Sequence, residues 1–231
     1  MNLKIYHSVN SSLYITDKHS HILIDGIHNG SAVGFSPMPA TPVSARNLLF
    51  THAHADHFDP QKVAQFISAH ETITYCPDSP LCNIQGLPLR KNLDLLKMDD
   101  FLILSLHTIH DCDQFASIPH RSYLIQSGPE TIFIAGDAAF QEADAIPLHP
   151  LISDGISAAF VNLYQIAHRG SQDFLRKLNP KRIFLYHLPF PEDDIFHIHT
   201  SMHSALKKYP PDLPVPEILS HMSWIDNHSS Y

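Results

Sequence analysis

The chain has 231 residues, 44% of them apolar and 16% charged, with a formal net charge of −8. That length can bury the core of an α/β domain, and no window approaches the run of about eighteen apolar residues that a membrane span needs. The acidic balance disfavours nucleic acid as a partner, because such binding rests on neutralising phosphates. Three cysteines cannot all pair, so a disulfide framework is not expected and a reducing, cytoplasmic setting is.

The N-terminus, MNLKIYHSVN, lacks the charged-then-apolar layout of a signal peptide. LKIYHSV, SSLYITD and SHILIDGI then read as strands, rich in β-branched and aromatic residues. Turn-prone Asn10-Ser11 and 18–20 separate them, which predicts an antiparallel meander. Residues 28–46 are rich in Gly, Pro and Ser without a period, and read as a long loop. NLLF is a buried strand. Asp59 caps a helix whose first residue is Pro60, and Val63, Phe66 and Ile67 give it an inward face. TITYC is a strand and PDSPLCNIQGLP a loop. FLILSLHTI is a strand, and SYLIQSGPETIFIAG a hairpin turning at 127–130.

The second half repeats this rhythm. ISAAFVNL is a strand, QIAHRGSQDFLRKL a helix containing Gly170, RIFLYHL a strand and TSMHSALKKY a helix; PVPEIL and SHMSWID close the chain. The basic cluster RKLNPKR, 176–182, reads as a solvated helix end and turn. With no clean linker, residues 1–231 are expected to form a single domain of two βα halves, about 1–110 and 111–231.

Histidine is the outlier, with 19 copies. Spacing, not number, carries the information. In NLLFTHAHADHFDP, His52 and His54 lie two apart at a strand's end, so in extended backbone both rings point to one side. Ala53 and Ala55 let the backbone approach closely, and the turn that follows can swing Asp56 and His57 beside them. Imidazoles with a carboxylate suit a borderline divalent ion such as zinc. Further polar residues end apolar runs: His107 and His110, Gly136-Asp137, and His187. Open α/β architectures place ligand sites at that edge of the sheet. Cys76 and Cys82 make a weak C-x5-C pattern, and Cys112 in HDCD reads as a thiol near the site. His19, His21, His28, His149, His197, His199, His203, His221 and His228 read as surface or packing residues.

THAHADH, a strand-end histidine, GD and a further strand-end histidine, in that order, resemble the metallo-β-lactamase fold superfamily from ILIDG to His187. The continuation DHFDP is similar to the branch containing ascorbate-phosphate lactonases and phospholipase-D-like enzymes of N-acyl ethanolamine phospholipids. The resemblance implies an α/β (α+β) fold: a four-layer αββα sandwich, two mixed sheets flanked by helices, with a dinuclear site at one edge. By position, the first ion takes His52, His54 and His110, the second takes Asp56, His57 and His187, and Asp137 bridges them. The third histidine is His110 or His120; His110 is preferred because the strand FLILSLHTI runs out there. His107 reads as packed or outside the coordination shell, and Asp25 as a carboxylate that orients an imidazole.

This implies a hydrolase with two divalent ions, zinc first and Mn2+ or Fe as alternatives, in which a metal-bridging hydroxide attacks a small phosphodiester or a lactone or ester. Asp56 would orient the nucleophile. His120, Asp113, Tyr164 and His168 are candidates for protonating the leaving group, and residues 28–46 and 138–155 for shaping the pocket. The alternatives are a nuclease acting on RNA or DNA, and a non-catalytic metal-binding protein that keeps the fold.

Overall fold

A computed structural model of the chain describes residues 3–17, 19–28, 47–79 and 87–225. The N-terminal apolar runs form the expected meander. β1 (Lys4–His7), β2 (Leu13–Thr16) and β3 (His21–Ile24) pair antiparallel in sequence. β4 (Asn47–Leu49) then adds parallel to β3. The helix α1 (Pro60–Ala69) starts where its cap predicts: Asp59 accepts hydrogen bonds from the backbone N–H groups of Gln61 and Lys62. β5 (Ile73–Pro77) and β6 (Leu87–Leu89) extend the sheet in parallel. Among the described residues of the expected loop 77–88, Pro77 ends β5 and Leu87 and Pro88 begin β6; residues 80–86, with Cys82, lie outside the described residues.

The chain then crosses to a second sheet. β7 (Leu93–Met98), a strand without a clear signal in the sequence, pairs antiparallel with β8 (Phe101–His110). β9 (His120–Ser127) and β10 (Glu130–Ile134) form the predicted hairpin. β11 (Ala138–Ala139) pairs with the end of β8. β12 (Ala158–Val161) runs parallel to β10.

Residues 165–178 do not form one helix. α2 (Leu163–Ala167) stops and α3 (Arg169–Leu178) starts around His168, whose backbone is extended (φ −101°, ψ 130°). Gly170 lies in the first turn of α3, where a Cβ would meet Phe140 O and Gln141 Oε1 at 2.7 Å. β13 (Ile183–Leu185) continues the parallel run. α4 (Ile198–Leu206) begins earlier than its apolar period suggests, because the Asp194 carboxylate accepts from the N–H groups of Ile198 and His199. β14 (Glu217–Ile218) borders β13, and β15 (Ser223–Trp224) returns to pair with β1.

The two mixed sheets therefore run β15-β1-β2-β3-β4-β5-β6 and β11-β8-β9-β10-β12-β13-β14, with β7 on β8. Strand alternation builds the layers. Ile132 and Ile134 of β10 point into the space between the sheets, with Ile5, Ile15, Ile24, Ile103 and Phe160. Phe133 points outward, onto Phe174 and Phe140 beneath α3. On the other side Leu48, Phe50 and Phe58 meet Val63 of α1. The order of layers is α, β, β, α, as expected.

Among the described residues no helix is long and apolar enough to cross a membrane. The basic cluster at 176–182 is ion-paired: Arg176 with Asp173 and Asp212, Lys177 with Glu142, Arg182 with Glu217. Residues 142–151 form a 3-10 helix whose Ala145 and Leu148 join the core under α3.

Candidate metal centre

The loop after β4 is fastened to both sheets. Thr51 O accepts from Arg121 N at 2.7 Å, and Phe50 O accepts from the Tyr123 hydroxyl at 2.6 Å. This holds His52 and His54 at the sheet edge, where His52 is fully buried. His57 N and Phe58 N both donate to His54 O, at 2.9 and 2.8 Å. That single helical turn carries Asp56 and His57 round beside the first pair.

Seven side chains from four separate segments converge. Three overlapping groups bring their ligand atoms within 4.8 Å of one another: His52, His54 and His110; His52, His57 and Asp137; Asp56, His57 and His187. His52 Nε2 faces His54 Nδ1 at 2.9 Å, and His57 Nε2 faces His187 Nε2 at 3.1 Å. Two nitrogens on one tetrahedral zinc ion lie about 3.3 Å apart, given bonds of about 2.0–2.1 Å, so these separations fit shared coordination. Asp137 Oδ2 is central, 3.2 Å from His57 Nε2, 3.7 Å from His52 Nε2 and 3.9 Å from His110 Nε2. His110 Nε2 is buried without a hydrogen-bond partner, a cost that a bound cation would remove.

The far side of three of these rings is held. Asp25, fully buried, accepts from Thr51 N (2.7 Å) and Thr51 Oγ1 (2.6 Å), and its Oδ2 lies 2.9 Å from His57 Nδ1. Ser11 Oγ also meets His57 Nδ1, at 2.9 Å. Thr51 Oγ1 lies 3.0 Å from His52 Nδ1. His110 Nδ1 faces both the Cys112 N–H at 3.1 Å and the Asp111 carboxylate at 3.0 Å. Asn10 links two ligands: its O accepts from His187 N at 3.0 Å, and its Nδ2 donates to Asp56 O at 2.9 Å and Asp56 Oδ2 at 3.3 Å. Asn162 Nδ2 reaches Asp137 Oδ1 and Asp111 Oδ2, each at 3.2 Å.

His120 has a different part. Its Nε2 accepts from the Asp137 backbone N–H at 3.0 Å and its Nδ1 meets Thr108 Oγ1 at 2.7 Å, so both nitrogens are engaged. Burial pulls its pKa down to about 3. It is neutral and fully buried, with neither nitrogen free to face the centre. Gly136 explains the GD pair: its φ is +60°, and a Cβ there would come within 2.9 Å of His120 Nε2 and Thr51 Cγ2. His187 also has positive φ, 60°, the kind of backbone cost that is tolerated where surroundings fix a functional side chain.

Burial alone would raise the Asp137 pKa, but His187, His57 and His52 hold it well below the usual carboxylate range. Burial alone would lower that of His57, but Asp137, Asp56 and Asp25 push it well above the usual value. The same negative field that favours a proton there favours a metal cation in its place. Burial, then His57, keeps His52 neutral with its lone pair available.

Beside the centre opens a cavity of about 500 Å³ reached by Asp56, His187, Tyr164 and His168. The rings of Tyr164 and His168 stack at 3.8 Å. Asp113 is exposed on a 3-10 turn and does not line this cavity, and neither does any residue of 138–155, contrary to expectation; that stretch packs beneath α3. His107 is exposed, since it alternates outward on β8. Of the loop 28–46, only His28 is among the described residues. Five supporting residues lie outside the expected site: Asn10, Ser11, Thr51, Asp111 and Asn162. Asn162 ends the apolar run of β12, so the strand-end rule that found His110 and His187 could have found it.

No family model matches the chain, and no curated protein matches it. Among solved structures, it is similar to the metallo-β-lactamase fold protein YhfI from Bacillus subtilis, with 15% identity over 96% of this chain and 98% of that one and a TM-score of 0.67. The chain has the metallo-β-lactamase fold. It is also similar to an isothiocyanate hydrolase from Delia radicum gut bacteria, at 16% identity over 96% of this chain and 98% of that one, TM-score 0.64. Against CmlA, a diiron beta-hydroxylase from Streptomyces venezuelae, identity is 12% and the TM-score 0.68; the match covers 97% of this chain but 54% of that one, so the chain spans about half its length. In this metallo-β-lactamase fold the seven side chains occupy the edge where β4, β8, β10 and β13 run out.

Proposed function

We propose that the protein is a metal-dependent hydrolase holding two divalent ions. His52, His54 and His110 would bind the first, Asp56, His57 and His187 the second, with Asp137 between them. The observation that carries this is the set of overlapping His and Asp groups, in which the Nδ1 atoms of His52 and His57 are held by Thr51 and Asp25. Imidazoles with carboxylates suit zinc, with iron or manganese as the rivals. We take residues 1–231 as one domain, because both sheets contribute to a shared core, and the compartment as cytoplasmic, because three cysteines cannot form a disulfide framework in which all are paired.

When bound, such a pair supplies an ionised water at neutral pH and polarises the scissile oxygen. The chain's own residues do the rest. Asp56, steadied by Asn10, accepts a hydrogen bond from the attacking water and aims it. Asn162 fixes Asp137 and Asp111 together, so the central carboxylate keeps its orientation. Tyr164 keeps its proton, since burial and then Asp111 and Asp113 raise its pKa; its hydroxyl at the cavity wall offers a hydrogen to a substrate or leaving-group oxygen. His168, stacked on Tyr164, holds that ring in place. The DHFDP likeness supports a small phosphodiester, lactone or ester as substrate.

Elemental analysis of the purified protein, with turnover of model esters, lactones and phosphodiesters before and after chelation, tests the reading. Two ions per chain and activity lost on chelation and restored by metal are expected. Two bound ions with no hydrolysis of any of these would leave a metal-binding protein without catalysis.

A further inference from the structure

The cavity beside the metal centre has a chemical bias of its own. Asp56 and His187 stand at its inner end. Its apolar walls are Leu163, Ala167, Pro189, Phe196, Ile198 and Ala205, with the uncharged polar Asn10, Asn162, Tyr164 and Ser201 and the His168 ring among them. They come from α2, α4 and the segment between β13 and α4, elements that also pack on the outer core of the second sheet. The charges beyond the centre are Asp111, Asp193 and Asp194, and among the described residues no lysine or arginine lines the space. Lys208 lies in a neighbouring cavity, past Ala205. Outside the described residues the only lysine and arginine are Lys18 and Arg46.

This combination selects between the substrate classes. A phosphate arm, or a phosphorylated sugar, entering the cavity would exchange water for apolar walls and meet carboxylates without a counter-charge, and an unpaired buried charge is costly. An aliphatic or aromatic group gains from the same walls, by about fourfold in affinity for each methylene buried. Negative charge developing at the reacting carbonyl would still be met by the cationic centre, so only the remote part of the substrate must be neutral.

Resting on the hydrolase reading above, we infer that the substrate is an uncharged carboxylic ester or lactone whose apolar group fills this cavity, and not a phosphodiester. The oxygen of water bonds to the carbonyl carbon. The acyl carbon–oxygen bond breaks with its electron pair on the leaving oxygen, which takes the proton. An acid and an alcohol account for every atom, joined in one molecule for a lactone.

The test uses the full chain loaded with zinc and the p-nitrophenyl esters of acetate, butyrate, hexanoate and octanoate, against bis-p-nitrophenyl phosphate. The ratio kcat/KM should climb by about fourfold per methylene over the shorter esters, and each ester should exceed the phosphodiester. Ala167→Trp and, independently, Ser201→Trp, on different helices, fill the cavity and should flatten that climb to less than about twofold per methylene. Binding of the uncharged fluorophore prodan to the metal-free chain, lost in either variant, reads the cavity without catalysis. A phosphodiester turned over faster than the esters, a flat chain-length profile, or prodan binding unaffected by both variants overturns the inference while the hydrolase reading stands. No turnover of any substrate with both ions bound defeats the hydrolase reading, and the inference with it.

Discussion

Asp25→Asn separates the metal centre from the fold that carries it. Asp25 is fully buried, and its two oxygens receive Thr51 N, Thr51 Oγ1 and His57 Nδ1 at 2.6–2.9 Å. Its backbone φ is +48°, a region that asparagine tolerates as well as aspartate does, so the main chain has no reason to move. The amide oxygen can still accept from Thr51 N. Its NH2 group then faces His57 Nδ1, donor against donor. Either that contact is lost, or the ring takes the other tautomer and places its proton on Nε2, where the lone pair is needed. A buried hydrogen bond to a charged partner contributes about 1.5–3 kcal/mol, which corresponds to about a tenfold to hundredfold weaker hold on the second ion. Competition titration of zinc against a chromophoric chelator resolves the two ions, and urea denaturation of the metal-free protein checks the fold. A folded variant that binds both ions as tightly as the parent would refute the reasoning.

Further outcomes follow from the same contacts. His110→Ala should lose an ion, whereas His120→Leu should keep both and instead lose about 1–3 kcal/mol of stability, because the Asp137 N–H loses its acceptor; elemental analysis and urea melts of the two variants decide. Gly136→Ala should cost at least about 1–2 kcal/mol, from its φ of +60° and the 2.9 Å approach of the new Cβ to His120 and Thr51, and it should lower ion content by shifting Asp137; unchanged melts would contradict this. Burial holds His28 neutral down to about pH 4, against an ordinary value of 6.5. The unfolded chain therefore takes up the extra proton first, so this contribution is complete above pH 6.5 and is lost as pH falls toward 4, by about 3 kcal/mol at most. Melts of the metal-free protein near neutrality and near pH 4.5 should show a steeper loss than in His28→Gln; equal losses would count against it.

The parts of the centre legible in the sequence are those dictated by local periodicity. His52 and His54 share a side because strands alternate, and His110, Asp137 and His187 each end an apolar run, so one rule placed them all at one edge. The meander, the Asp59 cap and the hairpin at 127–130 were legible for the same reason. The supporting shell was not. Asn10 meets Asp56 across 46 positions and Asn162 meets Asp137 across 25, and no local pattern marks such pairings. The choice between His110 and His120 needed coordinates, since both lie at strand ends; what distinguishes them is that the Asp137 N–H already occupies His120 Nε2. The break at His168 was hidden because apolar spacing continues through it; residues 140–141 pass close to Gly170 just beyond the break. β7 carries no clear signal because LDLLKM puts leucines on both faces, Leu93 and Leu95 on one and Leu96 on the other.

The most direct measurement is anomalous diffraction at the zinc absorption edge from crystals grown with excess zinc. Two peaks are expected, one among His52, His54 and His110 and one among Asp56, His57 and His187, with Asp137 reaching toward both. No peak at these side chains, or zinc found only elsewhere on the surface, would contradict the assignment of these residues as a metal centre.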